Sequence, residues 1–120
     1  MMYFVLFTMH NPDLLEELMD AWQAVGVQRA TILPSTGMRR LRQKYGMRDD
    51  IPLMPSLSDF YESGESFSRT IFTTVQDESM IDRILTATET VVGDLRNHET
   101  GVFLVLPVVR AYGLEKGDTP

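Results

Sequence analysis

Two stretches decide the fold: Tyr3–Met9 reads YFVLFTM, and Gly101–Val109 reads GVFLVLPVV. Both are short runs rich in aromatic and β-branched residues, which is the composition of a buried strand. An antiparallel strand with one face in water alternates apolar and polar residues, and neither run does so. We therefore predict that both faces of these two strands are buried.

Two amphipathic helices lie between these strands, over about residues 12–25 and 77–92. In both segments apolar residues recur at spacings of three and four, so each helix has one apolar face. Asn11 and Asp77 stand where N-caps belong, because their side-chain oxygens can accept the first free backbone N–H groups. Each helix is predicted to end at a glycine, Gly26 and Gly93.

Two further strands are predicted at 27–34 (VQRATILP) and 67–75 (FSRTIFTTV). The order is β-α-β, a long connection, then β-α-β. This order is typical of the α+β ferredoxin-like fold, βαββαβ, in which an antiparallel four-stranded sheet carries both helices on one face. Two helices cover only one face of a sheet, so the second apolar face needs another partner. Self-association is the simplest solution; the alternative is that the long connection folds over this face within a monomer.

The composition limits the function classes. A length of 120 residues predicts one domain over 1–120, and 43% hydrophobic with 23% charged residues is ordinary for a globular protein. The net charge of −6 argues against general nucleic-acid binding. No cysteine is present, which excludes a disulfide scaffold and a thiolate metal site. No apolar run is long enough to cross a membrane, so we expect a cytoplasmic protein, with a polar, loosely held tail at 113–120.

Residues 35–66 form the long connection and read STGMRRLRQKYGMRDDIPLMPSLSDFYESGES. A connection of this length inside a small domain is commonly functional. Five of the eleven basic residues fall within 39–48: Arg39, Arg40, Arg42, Lys44 and Arg48. We interpret this segment as an arm that docks on a partner protein; the alternatives are a solvated loop and, less favoured by the acidic body, nucleic-acid contact.

The chain resembles the P-II family of signalling proteins (nitrogen regulation) over about residues 3–113. The resemblance is carried by the order of elements, by GVQRATI at 26–32 and by GVFLVLPV at 101–108. It implies a homotrimer whose three sheets face a central core. It also implies that 35–66 corresponds to the T-loop, which docks on transporters and enzymes, and that the loop after the second helix helps to form an inter-subunit cleft for adenine nucleotides.

The chain departs from the family pattern at the residues that hold phosphate. In VVGDLRNHETGVF (91–103), Gly101 stands at the position of the last glycine, but Val102 stands where a lysine is expected. Gly113 and Glu115 occupy the positions of the C-terminal arginines, and Leu41 that of the glutamine linked to metal and 2-oxoglutarate. The resemblance therefore implies a divergent member, in which triphosphate binding cannot be carried over.

Candidate ligand-binding residues lie in three segments. Hydroxyls, glycines and guanidinium groups at the start of the long connection can hold an anion, and backbone N–H groups near the two glycines of the second loop can do the same. The last strand adds two side chains that could close the cleft. The candidates are Thr36, Gly37, Met38, Arg39, Arg40, Gly93, Asp94, Asn97, His98, Thr100, Gly101, Arg110 and Tyr112.

These observations favour a trimeric regulatory protein that binds a small anionic ligand and controls a protein partner, with a membrane transporter among the candidate targets. An adenine nucleotide is one candidate ligand. No nucleophile–base arrangement is recognisable, so no catalytic residue is predicted and we do not expect an enzyme. The two histidines lack a metal-ligand spacing, so no metal ligand is predicted. The alternative is a trimeric metal-binding or structural module of the same fold without nucleotide sensing.

Overall fold

The computed structural model describes residues 1–38 and 68–114. These residues form four strands, β1 (Met2–Met9), β2 (Thr31–Ser35), β3 (Ser68–Val75) and β4 (Gly101–Val108), and two helices, α1 (Leu15–Ala24) and α2 (Glu78–Val92). The predicted order of elements is confirmed.

Two predicted boundaries differ from the structure. The first helix begins as a 3-10 turn over Pro12–Leu14, in which the Leu14 N–H donates to the Asn11 carbonyl at 3.3 Å. The second strand, predicted from 27, joins the sheet only at Thr31. Ahead of it, the Thr73 hydroxyl donates to the Arg29 carbonyl at 2.6 Å, so a side chain takes the place of a backbone ladder bond there.

Both predicted N-caps are confirmed. The Asn11 side chain accepts from the Asp13 N–H and the Asp77 side chain from the Ser79 N–H, each at 3.0 Å. Such a bond satisfies a backbone donor that the first helical turn leaves free, and stabilises the helix by about 1 kcal/mol. The bonds from Ser79 lower the pKa of the Asp77 carboxyl, because they favour its charged form.

The four strands form one antiparallel sheet in the order β2-β3-β1-β4. β1 is central, and Val5 lies opposite Thr73 on one side and Val105 on the other. Because side chains alternate along a strand, this register sets which residues share a face. Pro34 lies in β2, which is an outer strand of the sheet. An outer strand pairs on one side only, so it tolerates a residue without a backbone N–H better than a central strand does.

The core lies between the sheet and the two helices. Val5, Phe7 and Met9 of β1 are fully buried there, together with Leu18 and Ile84 of the helices. The buried Trp22 indole N–H donates to the Thr88 hydroxyl at 2.9 Å, and that hydroxyl donates to the Ile84 carbonyl at 2.7 Å. This chain of bonds joins α1 to α2 and leaves neither polar side chain unpaired in an apolar setting.

The opposite side of the sheet, which we call the open face, carries Phe4, Leu6, Phe72, Leu104 and Leu106. The rings of Phe4 and Phe72 pack with centroids 5.2 Å apart. No described helix covers this face, and Leu104 and Leu106 are 49% and 47% exposed. Among the described residues this face therefore has no cover, and the predicted cover by other subunits or by the long connection stays a prediction.

Neither α1 nor α2 is long and apolar enough to span a bilayer, and they are the only α-helices in the described ranges.

Candidate functional site

The start of the long connection lies at one end of the sheet, which we call the loop end. Here the Thr70 hydroxyl of β3 donates to the Ser35 hydroxyl at 2.8 Å, and Thr8 of β1 lies 3.3 Å from Thr70. Three hydroxyl groups from three strands thus form one row, which holds the end of β2 in place.

Of the candidates in this segment, Thr36 is half-buried, whereas Gly37 and Met38 are exposed. None of the described residues lies within 4 Å of the point where a Cβ on Gly37 would stand. Arg39 and Arg40 lie outside the described residues. The described candidates of this segment therefore lie at the loop end, and two of the three are exposed.

The loop between α2 and β4, residues 93–101 (loop 93–101), also lies at the loop end. Gly93 ends α2 in a left-handed conformation (φ 96°), as predicted for a C-terminal glycine. The Asp94 carboxylate accepts the Arg96 backbone N–H at 2.9 Å and three contacts of 2.8–3.2 Å from the Arg96 guanidinium. The Leu95 N–H donates to the Glu89 carboxylate at 3.1 Å.

These contacts shift two pKa values. The Arg96 side chain, and to a smaller degree its backbone N–H, lower the pKa of the Asp94 carboxyl from 3.8 to about 2. The same pairing raises the pKa of the Arg96 guanidinium. The pair is at the surface, since the Arg96 side chain is 90% exposed, so its contribution to folding is small.

Thr100 and Gly101 serve the conformation of loop 93–101 itself. The Thr100 hydroxyl lies within donating distance of the Asp94 and Asn97 carbonyls, at 3.3 and 3.1 Å. Asn97 and His98 are exposed. A Cβ on Gly101 would stand 2.4 Å from the Thr8 carbonyl, so packing against β1 already requires glycine at this position.

The two sets of candidates at the loop end are not adjacent within one chain. Ser35 ends β2 and Gly101 begins β4, which are the two outer strands of the sheet. With a strand spacing of about 4.8 Å, β2 and β4 lie about 14 Å apart. The predicted residues of the long connection and of loop 93–101 therefore do not close on one small ligand within a single subunit.

Arg110 and Tyr112 lie at the opposite end of the sheet, which we call the tail end, beyond the last residue of β4. Both side chains are exposed, Tyr112 to 85%. A single chain thus brings neither of them to the candidates at the loop end.

A groove of about 870 Å³ lies at the tail end. Its walls come from the turn before β2, the tail-end halves of β1 and β3, the first turn of α2 and the segment after β4. It is lined by Met2, Phe4, Gly26, Val27, Gln28, Arg29, Ala30, Thr31, Phe72, Thr73, Thr74, Val75, Gln76, Met80, Ala111, Tyr112, Gly113 and Leu114.

Most groove residues were not among the predicted candidates; only Tyr112 was. The sequence did contain a signal, because Gly26 and Arg29 stand in GVQRATI, one of the segments that carry the P-II resemblance. Gly26 has a φ of 113°, and a Cβ there would meet the Met80 methyl at 3.0 Å. The turn is therefore packed tightly against α2, and it presents Gln28 and Arg29 at the surface.

No group of three or more histidine, aspartate or glutamate side chains suited to a metal ion occurs among residues 1–38 and 68–114.

Comparison with known proteins gives a fold and no sequence relative. No family model and no curated protein matches the sequence. Among solved structures, 142 chains match. One is the crystal structure of PII from Arabidopsis thaliana bound to citrate, with a TM-score of 0.59 and 12% sequence identity, covering 97% of this chain and 86% of that chain.

The sheet order, the two helices on one face, the separation of β2 from β3 by a long connection and this structural match agree with one another. The chain has a P-II-like ferredoxin fold.

Proposed function

We propose that this protein is a P-II-like homotrimeric regulator, which binds a small anionic ligand in clefts between subunits and controls a partner protein through loop 35–66. The observation that carries the proposal is the open face. Phe4, Leu6, Phe72, Leu104 and Leu106 form a contiguous apolar surface, and leaving such a surface in water is unfavourable.

A trimer also accounts for the separation of the candidate residues. In a cyclic trimer each interface is heterologous, so that one edge of a subunit faces a different edge of its neighbour. Residues that lie far apart in one chain can then line the same cleft. On this proposal, the loop end of one subunit lies beside the tail-end groove of the next.

The charge of the ligand follows from the arginines around such a cleft. Arg29 is exposed beside the groove, and Arg110 is exposed just after β4. Arg39 and Arg40 follow Met38 in the sequence. Guanidinium groups bind carboxylates and phosphates through paired hydrogen bonds, so an anion is the best-matched ligand, and citrate belongs among the first compounds to test because it is bound to the Arabidopsis protein.

Loop 35–66 is proposed as the docking arm. Its residues 39–48 hold five basic side chains and no acidic one, whereas the whole chain has a net charge of −6. A charge distribution of this kind favours contact with an acidic protein surface. Ligand binding at the base of the arm would shift its population between docking and non-docking conformations. No catalytic role is proposed.

The first experiment is light scattering of the purified protein together with a thermal-shift panel. The panel contains citrate, 2-oxoglutarate, AMP, ADP, ATP, cyclic AMP and divalent metals. A mass three times that of the chain and a clear shift with one anion are expected, since a ligand at a hundred times its Kd stabilises the folded state by about 2.7 kcal/mol.

Other outcomes have definite meanings. A monomer or dimer would contradict the trimer. A trimer that responds to a metal alone would favour the metal-binding module. A trimer that no member of the panel stabilises would favour a structural module of the same fold.

A further inference from the structure

Loop 93–101 already uses two backbone N–H groups and its guanidinium in bonds to carboxylates of the same subunit. The Leu95 N–H donates to Glu89, and the Arg96 N–H donates to Asp94. Each acceptor is a carboxylate of the same subunit, so these two N–H groups are satisfied before any ligand arrives.

The guanidinium of Arg96 is held in the same way. It is the only basic side chain of the loop, apart from the imidazole of His98. Its Nε and Nη2 contact both oxygens of Asp94 at 2.8–3.2 Å. A phosphate that recruited Arg96 would have to compete with a carboxylate two residues away that also holds the backbone N–H of Arg96.

The charge of the region opposes a phosphate as well. Glu89, Asp94 and Glu99 bring three negative charges against the single positive charge of Arg96. A phosphate group itself carries about −1.5 to −2 at neutral pH. Its approach to a region with a net charge of −2 is repulsive, and no neighbouring described lysine offsets that repulsion.

Building on the proposed function, we propose that Asp94 is a specificity-determining residue of the cleft. Its carboxylate already occupies the Arg96 N–H and guanidinium, which are donors that an anion in loop 93–101 would use. The cleft therefore accepts a ligand with a single anionic group, held by arginines outside this loop, and rejects a polyphosphate. The part of the ligand that meets loop 93–101 is an uncharged hydroxyl or amide.

The test compares the unaltered protein with Asp94→Asn and Glu99→Gln by calorimetric titration with inorganic tripolyphosphate. Asparagine keeps an oxygen that can accept the Arg96 N–H, but it removes the charge that holds the guanidinium. Glu99→Gln is the matched control, because it removes the same charge from the same loop and no bond to Glu99 is seen in the described structure. Asp94→Ser serves as a second variant if Asp94→Asn fails to fold, since serine also supports this type of turn.

We expect the unaltered protein to bind tripolyphosphate with a Kd above the millimolar range. Asp94→Asn should bind it at least tenfold more tightly, and Glu99→Gln less than threefold more tightly. In parallel, the unaltered protein should bind ATP no more tightly than AMP. Micromolar binding of tripolyphosphate by the unaltered protein, or equal behaviour of the two variants, would overturn the inference.

The outcome is separable from that of the proposed function. If the protein is not a trimer and no small ligand stabilises it, the proposed function fails, but the two variants still decide whether Asp94 blocks phosphate. If the protein is a ligand-binding trimer and the two variants behave alike, only the role of Asp94 fails.

Discussion

Both faces of the sheet are apolar, yet they differ in their exposure to solvent. On the helix side, Val5 and Phe7 have no exposed surface, whereas on the open face Leu104 remains half exposed. The central strand β1 thus buries these helix-side residues completely, while Leu104 of the neighbouring strand β4 stays accessible on the other face. An apolar strand face therefore indicates that the face packs against something, but it does not indicate what. Here the helices cover one face, and in our proposal other subunits cover the opposite face.

The largest effect should come from the covered face. Phe7→Ala removes a fully buried ring that packs beside Phe103, and such changes cost about 3–5 kcal/mol. Urea denaturation would measure this loss. The comparison is Leu6→Ala on the open face, with both changes made in a variant that does not associate, such as Leu104→Asp. If Leu6→Ala lowers the unfolding free energy as much as Phe7→Ala does, the open face is covered within the monomer.

The next effect should be on assembly. Leu104→Asp places a charge in the centre of the proposed interface, and a buried, unpaired charge should weaken association on the order of a hundredfold. Light scattering over a dilution series would show the change, with circular dichroism to check folding. Thr86→Asp, on an exposed position of α2, is the control. If both variants keep the mass of the unaltered protein, the open face is not the interface.

A third effect concerns the junction of β1 and β4 at the loop end. Gly101→Ala should destabilise by about 1–3 kcal/mol, because the new methyl group meets the Thr8 carbonyl and the Phe7 ring at 2.4 and 2.7 Å. The methyl group of Gly37→Ala meets none of the residues that the structure describes within 4 Å, so this variant should be close to neutral. Thermal unfolding of both variants tests this prediction, and equal stabilities of the two variants would contradict it.

A fourth effect tests how dry the covered face is. Thr88→Val leaves the buried Trp22 indole N–H without its acceptor and should cost about 1–3 kcal/mol. Thr90→Val is matched, since both hydroxyls donate to the carbonyl four residues earlier, but Thr90 is exposed. Equal unfolding free energies for the two variants would show that water reaches Trp22.

The smallest effect should be the pH dependence of Asp94. Its folded-state pKa of about 2 lies below its ordinary value of 3.8, so its stabilising contribution is present above about pH 4 and is lost as the pH falls through 2. The difference in unfolding free energy between the unaltered protein and Asp94→Asn should therefore shrink over this range. A constant difference from pH 6 to pH 2 would rule out the Asp94–Arg96 pair as its source.

Most of the fold was predictable because it rests on local signals. Helical periodicity, the caps at Asn11 and Asp77 and the glycine at 93 are all written over a few residues, and the structure confirms them. The exception is the start of β2. There a strand-like sequence stays outside the ladder because Thr73, far away in the chain, binds the Arg29 carbonyl, and no local pattern could show this.

The candidate site was less predictable, because its chemistry depends on which side chains and backbone groups form hydrogen bonds with one another. Asp94 and Thr100 looked like free ligand-binding groups in the sequence, but in the structure Asp94 binds Arg96 and Thr100 binds the loop backbone. Gly101 looked like a ligand-facing glycine, yet packing against β1 already demands it. The groove beside Arg29 was not predicted, because its walls come from segments spread over the whole described chain.

The sequence by itself determined the elements, their order and the fact that both faces of β1 and β4 are apolar, since these depend on side-chain type and spacing. Only the tertiary structure decided which face the helices cover, which donors of loop 93–101 are already used and where a groove opens. The physical reason is that burial, hydrogen-bond satisfaction and cavity shape depend on residues far apart in the chain, whose contacts are created only when the sheet and helices come together.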